Sequence, residues 1–267
     1  MSATATMTPL DFDVRRTPPI PFSRLVKVEL RKSYDTRSGF WLLVSMGLLT
    51  SVIYAVLLIV SALGKTTLNY GDFAAAAAFG TSVLLPVMGI LLVTSEWSQR
   101  TTLTTFALEP NRARVLAAKL ATGIVLTFAV AAFAVVVGAG ANAINTLVAD
   151  SHSWSFGFNH LVGFVITQIL TMLGGFAFAA LLLNSPAAIV LFFVYRFIVP
   201  TIFAMLGNAF GGFKDASAWF DFESAQRPLA DLSLSGSDWA HLLVSATIWL
   251  AIPFAFGLRR VLRAEVK

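Results

Sequence analysis

Cysteine is absent from the 267 residues, which removes disulfides, thiol chemistry and cysteine-based metal sites. Charge is sparse: 12% of residues are Asp, Glu, Lys or Arg against 57% apolar, and mean hydropathy is +0.78. A water-soluble domain needs far more polar surface than this. The sequence has no His-Glu-x-x-His, no Gly-x-Ser-x-Gly and no pair of carboxylates inside an apolar run. A membrane-embedded enzyme would therefore lack its reacting groups, and a proton-coupled carboxylate relay is not expected. Gly64-Lys65-Thr66 resembles the end of a phosphate-binding loop, but that motif needs glycine at 59, where Ile59 stands. There is also no cleavable leader, because the first 20 residues are polar and proline-rich and read as a disordered tail.

What the chain does have is long uncharged runs: 38–64, 73–95, 120–149, 151–195 and 239–258. About 20 apolar residues cross about 30 Å of hydrocarbon, and the 45-residue run divides at Asn184-Ser185-Pro186. The reading is an all-α integral membrane protein with six transmembrane helices, at about 40–62, 73–94, 118–140, 160–183, 187–207 and 239–258. Strands of a barrel would alternate over about ten residues, and these runs do not. Fifteen of the 19 Lys and Arg lie before the first span, between the second and third, or after the last. That asymmetry puts both termini and the loop over 95–117 in the cytoplasm, with the chain multi-pass in the cell's inner membrane. The net charge of +5 belongs to that face, where anionic lipid attracts it, and is not a sign of nucleic acid.

Residues 21–38 read as an N-terminal amphipathic interfacial helix. Arg24, Lys27 and Arg31 share one face, Phe22, Leu25, Val26 and Leu30 lie roughly opposite, and Glu29 interrupts the apolar sector. On the outer side, Trp154, Phe156 and Phe158 suit the headgroup layer, and His152 and His160 read as solvated loop residues, not metal ligands. Residues 208–238 carry net charge −3 with Trp219, Phe220 and Phe222, and form either a lid over an exit route or a packed cap. Arg196 falls about ten residues into the fifth span, about 15 Å deep. A cation there must face protein or a wet cavity. It either lines a pathway together with Gln168, or bonds helix carbonyls or a polar neighbour such as Tyr195 or Gln168. Pro86 and Pro200 predict kinks, while Gly174-Gly175 and the Gly207/Gly211 pair predict close helix approach.

The most informative stretch is 95–119. Trp97 suits an interface, and Leu103, Phe106 and Ala107 stand at i, i+3, i+4 and make a short apolar stripe. Pro110 ends that helix, and residues 111–114 turn the chain back. Such a helix either lies on lipid or fills a groove in a soluble partner. Glu96, Arg100, Thr102, Leu103, Pro110, Arg112 and Lys119 together resemble the cytoplasmic signature of type-2 ABC (ATP-binding cassette) transporter permeases. The six-span layout, the basic helix before the first span and the long segment before the sixth extend that resemblance over about 21–267. One departure is Thr101, which stands where the family usually has glycine, so a different backbone turn is expected there.

The resemblance implies the permease half of an exporter, a single domain over 21–267. It would be paired with a separate ABC ATPase subunit and a second permease copy, the same or related, within membrane lipid. This chain would bind no cofactor, and ATP would act through the partner. Residues 96–114 would dock on the ATPase, with Arg100, Thr102, Leu103, Phe106, Pro110 and Arg112 in the contact and Glu96 securing the loop. The connecting helix with Arg24, Lys27 and Arg31 would lie beside it. The other reading is a non-transport membrane scaffold or assembly factor that uses the same loop to recruit a soluble protein.

Overall fold

The computed structural model describes residues 20–64, 67–148, 154 and 157–264. The tail over 1–19, Lys65, Thr66, Asp150, His152, Phe156 and Lys267 lie outside the described residues. The described chain is helical, with no strand. In hydrocarbon every backbone amide and carbonyl must be paired within its own segment, and uncharged runs of this length meet that demand as helices.

Helix α1 (Phe22–Asp35) is followed by α2 (Arg37–Ala62), whose first turn Thr36 caps by accepting from Gly39 N–H. Next come α3 (Tyr70–Ser98), the short α4 (Thr102–Leu108), α5 (Arg112–Val148) and α6 (Phe158–Leu182). The fifth span is α7 (Ser185–Phe193), a π turn (Val194–Ile198) and α8 (Val199–Ala209). A segment with α9 (Gly211–Ser217) and α10 (Phe222–Ala225) leads to the sixth span, made of α11 (Gly236–Ala246), a π turn (Thr247–Ala251) and α12 (Ile252–Arg263). Six of these helical runs are long and apolar enough to cross a membrane, and the protein is a multi-pass membrane protein. As expected, the fourth and fifth spans separate at Asn184, which accepts from Ala187 N–H, with Leu183 left-handed before it.

The helices overrun the expected spans most at the third, where α5 extends from Arg112 to Val148. Its start is fixed by Asn111, whose side chain accepts from Arg114 N–H. Arg112 and Arg114 therefore sit on a helix and not in a loop. Glu96 likewise lies within α3.

The centre of the bundle is the crossing of α3 and α6. A Cβ on Gly175 would lie 2.2 Å from the Pro86 carbonyl oxygen, and one on Gly89 would lie 2.5 Å from that of Met172. Only glycine lets these backbones approach so closely. The best apolar window of α3 is 61% buried, whereas that of the fifth span is 11% buried, so α3 is core and the fifth span is periphery. At Gly211 an added Cβ would meet open space, so the expected 207/211 pair packs no helix there.

Both π turns precede a proline, Pro200 in one span and Pro253 in the other. Proline has no N–H for the carbonyl four residues earlier, here Arg196 and Trp249, and widening the turn redirects that carbonyl. The two turns face each other through Tyr195 and Trp249, whose rings are 4.4 Å apart. Above them the segment before α11 is a packed cap. Phe222, Ala225 and Leu229 are buried in the main core, and Trp249 Nε1–H donates to Phe220 O at 2.7 Å. A Cβ at Gly163 would come within 2.1 Å of the Leu229 carbonyl oxygen.

Candidate functional site

The end of the bundle that carries α1, α4 and the C-terminus of α12 holds a network of four charges, of which Glu29, Glu96 and Lys119 are buried. Lys119 Nζ donates to Glu29 Oε2 at 2.7 Å and lies 3.3 Å from Glu96 Oε1. Lys32 Nζ donates to Glu29 Oε1 and to Glu96 Oε1, both at 2.6 Å. Thr105 Oγ1 on α4 donates to the same Glu96 oxygen at 3.0 Å. The network therefore ties α1, α3, α4 and α5 together with two charges of each sign. Burial opposes the charge on Lys32, but Glu29 and then Glu96 outweigh it and raise its pKa above the ordinary lysine value.

Glu29 in the apolar sector of α1 is thus no interruption of the amphipathic pattern; it is the buried partner of Lys119. A carboxylate on an apolar face, together with a lysine at the start of an apolar run, was the available signal. Pairing them across 90 residues required the fold.

Helix α3 ends in a left-handed residue. Arg100 has φ of 57°, Thr101 N–H donates to Glu96 O at 3.0 Å, and Arg100 N–H donates to Trp97 O. Arg100 therefore fills the position that glycine prefers at a helix end. Thr101, at φ −96°, adopts an ordinary conformation, so the unusual turn falls one residue earlier than its place in the motif suggested. The turn leads directly into α4.

The residues expected to act together in this loop face different ways. Thr102 and Glu96 are buried, whereas Arg100, Leu103 and Pro110 are exposed. Phe106 is half-buried, with its ring edge-on to Trp97 at 6.4 Å and the Arg112 guanidinium 4.9 Å from its centroid. Arg112 donates to the carbonyls of Val261, Leu262 and Ala264, so it caps α12, a favourable place for a cation. Arg114 pairs with Glu109 at 2.9 Å and donates to Ile20 O. What remains outward on α4 is Leu103, Thr104, Ala107 and Leu108, with Leu103 55% and Leu108 71% exposed. Arg24, Lys27 and Arg31 are exposed along α1, and Arg31 pairs with Asp35 at 2.8 Å.

The two residues named for a pathway have separate partners. Arg196 pairs with Glu223 of α10, a carboxylate reaching down from the cap, and its Nε is buried without a hydrogen-bond partner. Gln168 Nε2–H donates to Thr81 Oγ1, joining α6 to α3. His160 lies 3.2 Å from Asp231 at the surface, and no group of residues able to hold a metal occurs among the described residues. No protein-family model matches the sequence, and no curated protein matches it.

Proposed function

We propose that this chain is the permease subunit of an ATP-driven exporter of the ATP-binding-cassette type, and that a separate ATPase subunit docks on α4. One observation carries the reading: α4 presents Leu103 and Leu108 outward while its inner side is bolted to the bundle. Thr105 bonds the Glu96 carboxylate, and Phe106 packs between Trp97 and Arg112, which in turn holds the end of α12. A push on α4 would therefore reach α1, α3, α5 and α12 without first spending itself on loop bending. That is the property a coupling element needs, since energy must arrive from outside a chain with no nucleotide-binding motif.

The clustering of Lys and Arg at this end supports a cytoplasmic orientation in an inner membrane, with both termini inside. Helix α1 would lie at the headgroup level with Arg24, Lys27 and Arg31 toward lipid phosphates. A second copy would complete the translocation path, closing against the sparsely buried fifth span.

The test is co-purification with the ATPase. Leu103→Glu combined with Leu108→Glu places two carboxylates on the docking face and leaves the ion network untouched. Membrane insertion should be unchanged, and association with the ATPase should fall at least about tenfold, as for loss of an apolar anchor worth more than about 1.4 kcal/mol. Full association in this variant would sink the docking assignment. A purified complex with no ATPase at all would favour the scaffold reading.

A further inference from the structure

A cavity of about 500 Å³ lies between α1, the start of α2, the end of α3, α4 and the start of α5. That volume is typical of small-molecule sites. Leu42, Leu43, Leu92 and Leu126 line it along the spans, and Gln99, Thr101, Thr104 and Glu109 line it near α4 together with Leu108. Between them stand Glu29, Lys32 and Glu96. A largely apolar space with charged groups on one side suits an amphiphile better than a compact polar solute.

Glu96 supplies the specific acceptor. It is buried, and the groups that reach it, from Lys32, Lys119 and Thr105, all converge on Oε1. Among the described residues nothing donates to Oε2. An ionised carboxylate offers about four acceptor positions, so Oε2 can still accept from a donor that enters the cavity. Lys32 faces the same space with 41% of its side chain exposed, and its ammonium has a third proton beyond those given to Glu29 and Glu96. Arg24 lines the cavity as well. An unfilled acceptor beside two cations, at the head of an apolar space, is complementary to a zwitterion whose positive end carries N–H groups.

We propose that this cavity binds a phospholipid of the ethanolamine class. One acyl chain lies among Leu42, Leu43 and Leu92, the ammonium donates to Glu96 Oε2, and the phosphate faces Lys32 and Arg24. The surrounding bilayer is the source, and the rim of the cavity shares Thr104 and Leu108 with the outward face of α4. A choline phospholipid has the same charges but no N–H, and a glycerol phospholipid has a net negative charge and no ammonium.

The experiment uses the full chain purified in neutral detergent. Phosphatidylethanolamine, phosphatidylcholine and phosphatidylglycerol with matched acyl chains are each titrated and read by native mass spectrometry. The ethanolamine lipid should be retained about tenfold over the choline lipid, the loss expected for one charge-assisted hydrogen bond. Leu43→Trp fills the space along the spans without touching the ion network and should abolish that preference. Glu96→Gln, if it folds, should reduce it severalfold. Equal retention of the choline lipid, preference for the glycerol lipid, no retained lipid, or an unchanged preference in Leu43→Trp would each overturn the proposal.

Discussion

Ion pairs hold together both ends of the bundle, and the two ends treat them differently. At the end carrying α1 and α4, two carboxylates and two ammonium groups interlock, and the Lys119 and Glu29 side chains are almost wholly enclosed. At the other end the pair of Arg196 and Glu223 joins the fifth span to the cap, and Arg196 Nε is left without a partner among the described residues. Desolvating a charge is repaid only when its remaining donors and acceptors are also met. The first region comes close to that condition and holds four helices in fixed relation. The second meets it less fully, between a thinly buried span and a segment anchored by a few side chains. The contrast suggests a rigid end that receives force and a looser end where the structure has more freedom to change.

The strongest way to break the comparison is Lys119→Met. It leaves Glu29 and Glu96 with one cation fewer in a buried site, and should cost about 3–5 kcal/mol of stability by denaturant unfolding in micelles. Adding Glu29→Leu should recover a large part of that loss, and a silent single variant would show that the network is not structural. Glu223→Leu is the matching change at the other end. It should cost less, about 1–3 kcal/mol, because Glu223 keeps 31% of its side-chain exposure. Arg196→Met with Glu223→Leu should then come close to the parent protein or exceed it. If Glu223→Leu proves as damaging as Lys119→Met, the two ends are equally rigid.

Arg100→Gly sharpens the picture on a smaller scale. Relieving a left-handed non-glycine residue should raise stability by about 0.5 kcal/mol in a thermal shift assay while removing a cation from the rim of α4. The smallest effect is set by pH. The folded pKa of Lys32 is raised above its unfolded value, so its contribution is complete below about pH 10.5 and lost as pH rises through the folded value. Stability of the parent should decline above that pH, and Lys32→Gln should lose part of the decline.

The six spans and their order were readable in the sequence because uncharged length is a local property, and hydrocarbon leaves the backbone one local solution. Helix ends were less readable. The third span was expected over 118–140, but α5 starts at Arg112 because Asn111 caps it and Arg112 and Arg114 have partners elsewhere. The loop around Glu96 stood out by composition, yet its residues sorted into buried braces and an exposed face only once α1 and α12 were in place. Arg196 announced itself as an expensive mid-span cation. Its partner Glu223 did not, since an acidic residue in a polar connecting segment looks like any other.

By itself, the sequence decided that this chain crosses a membrane, how many times, and at which end its positive charge collects. Those outcomes follow from transfer free energies that add residue by residue along the chain. Only the tertiary structure decided that Glu29 meets Lys119, that Arg112 caps the last helix, and that Glu96 lines a cavity beside Lys32. Each of these depends on two groups far apart in the chain arriving within about 3 Å in a medium where unpaired charge is penalised, and no local pattern encodes that meeting.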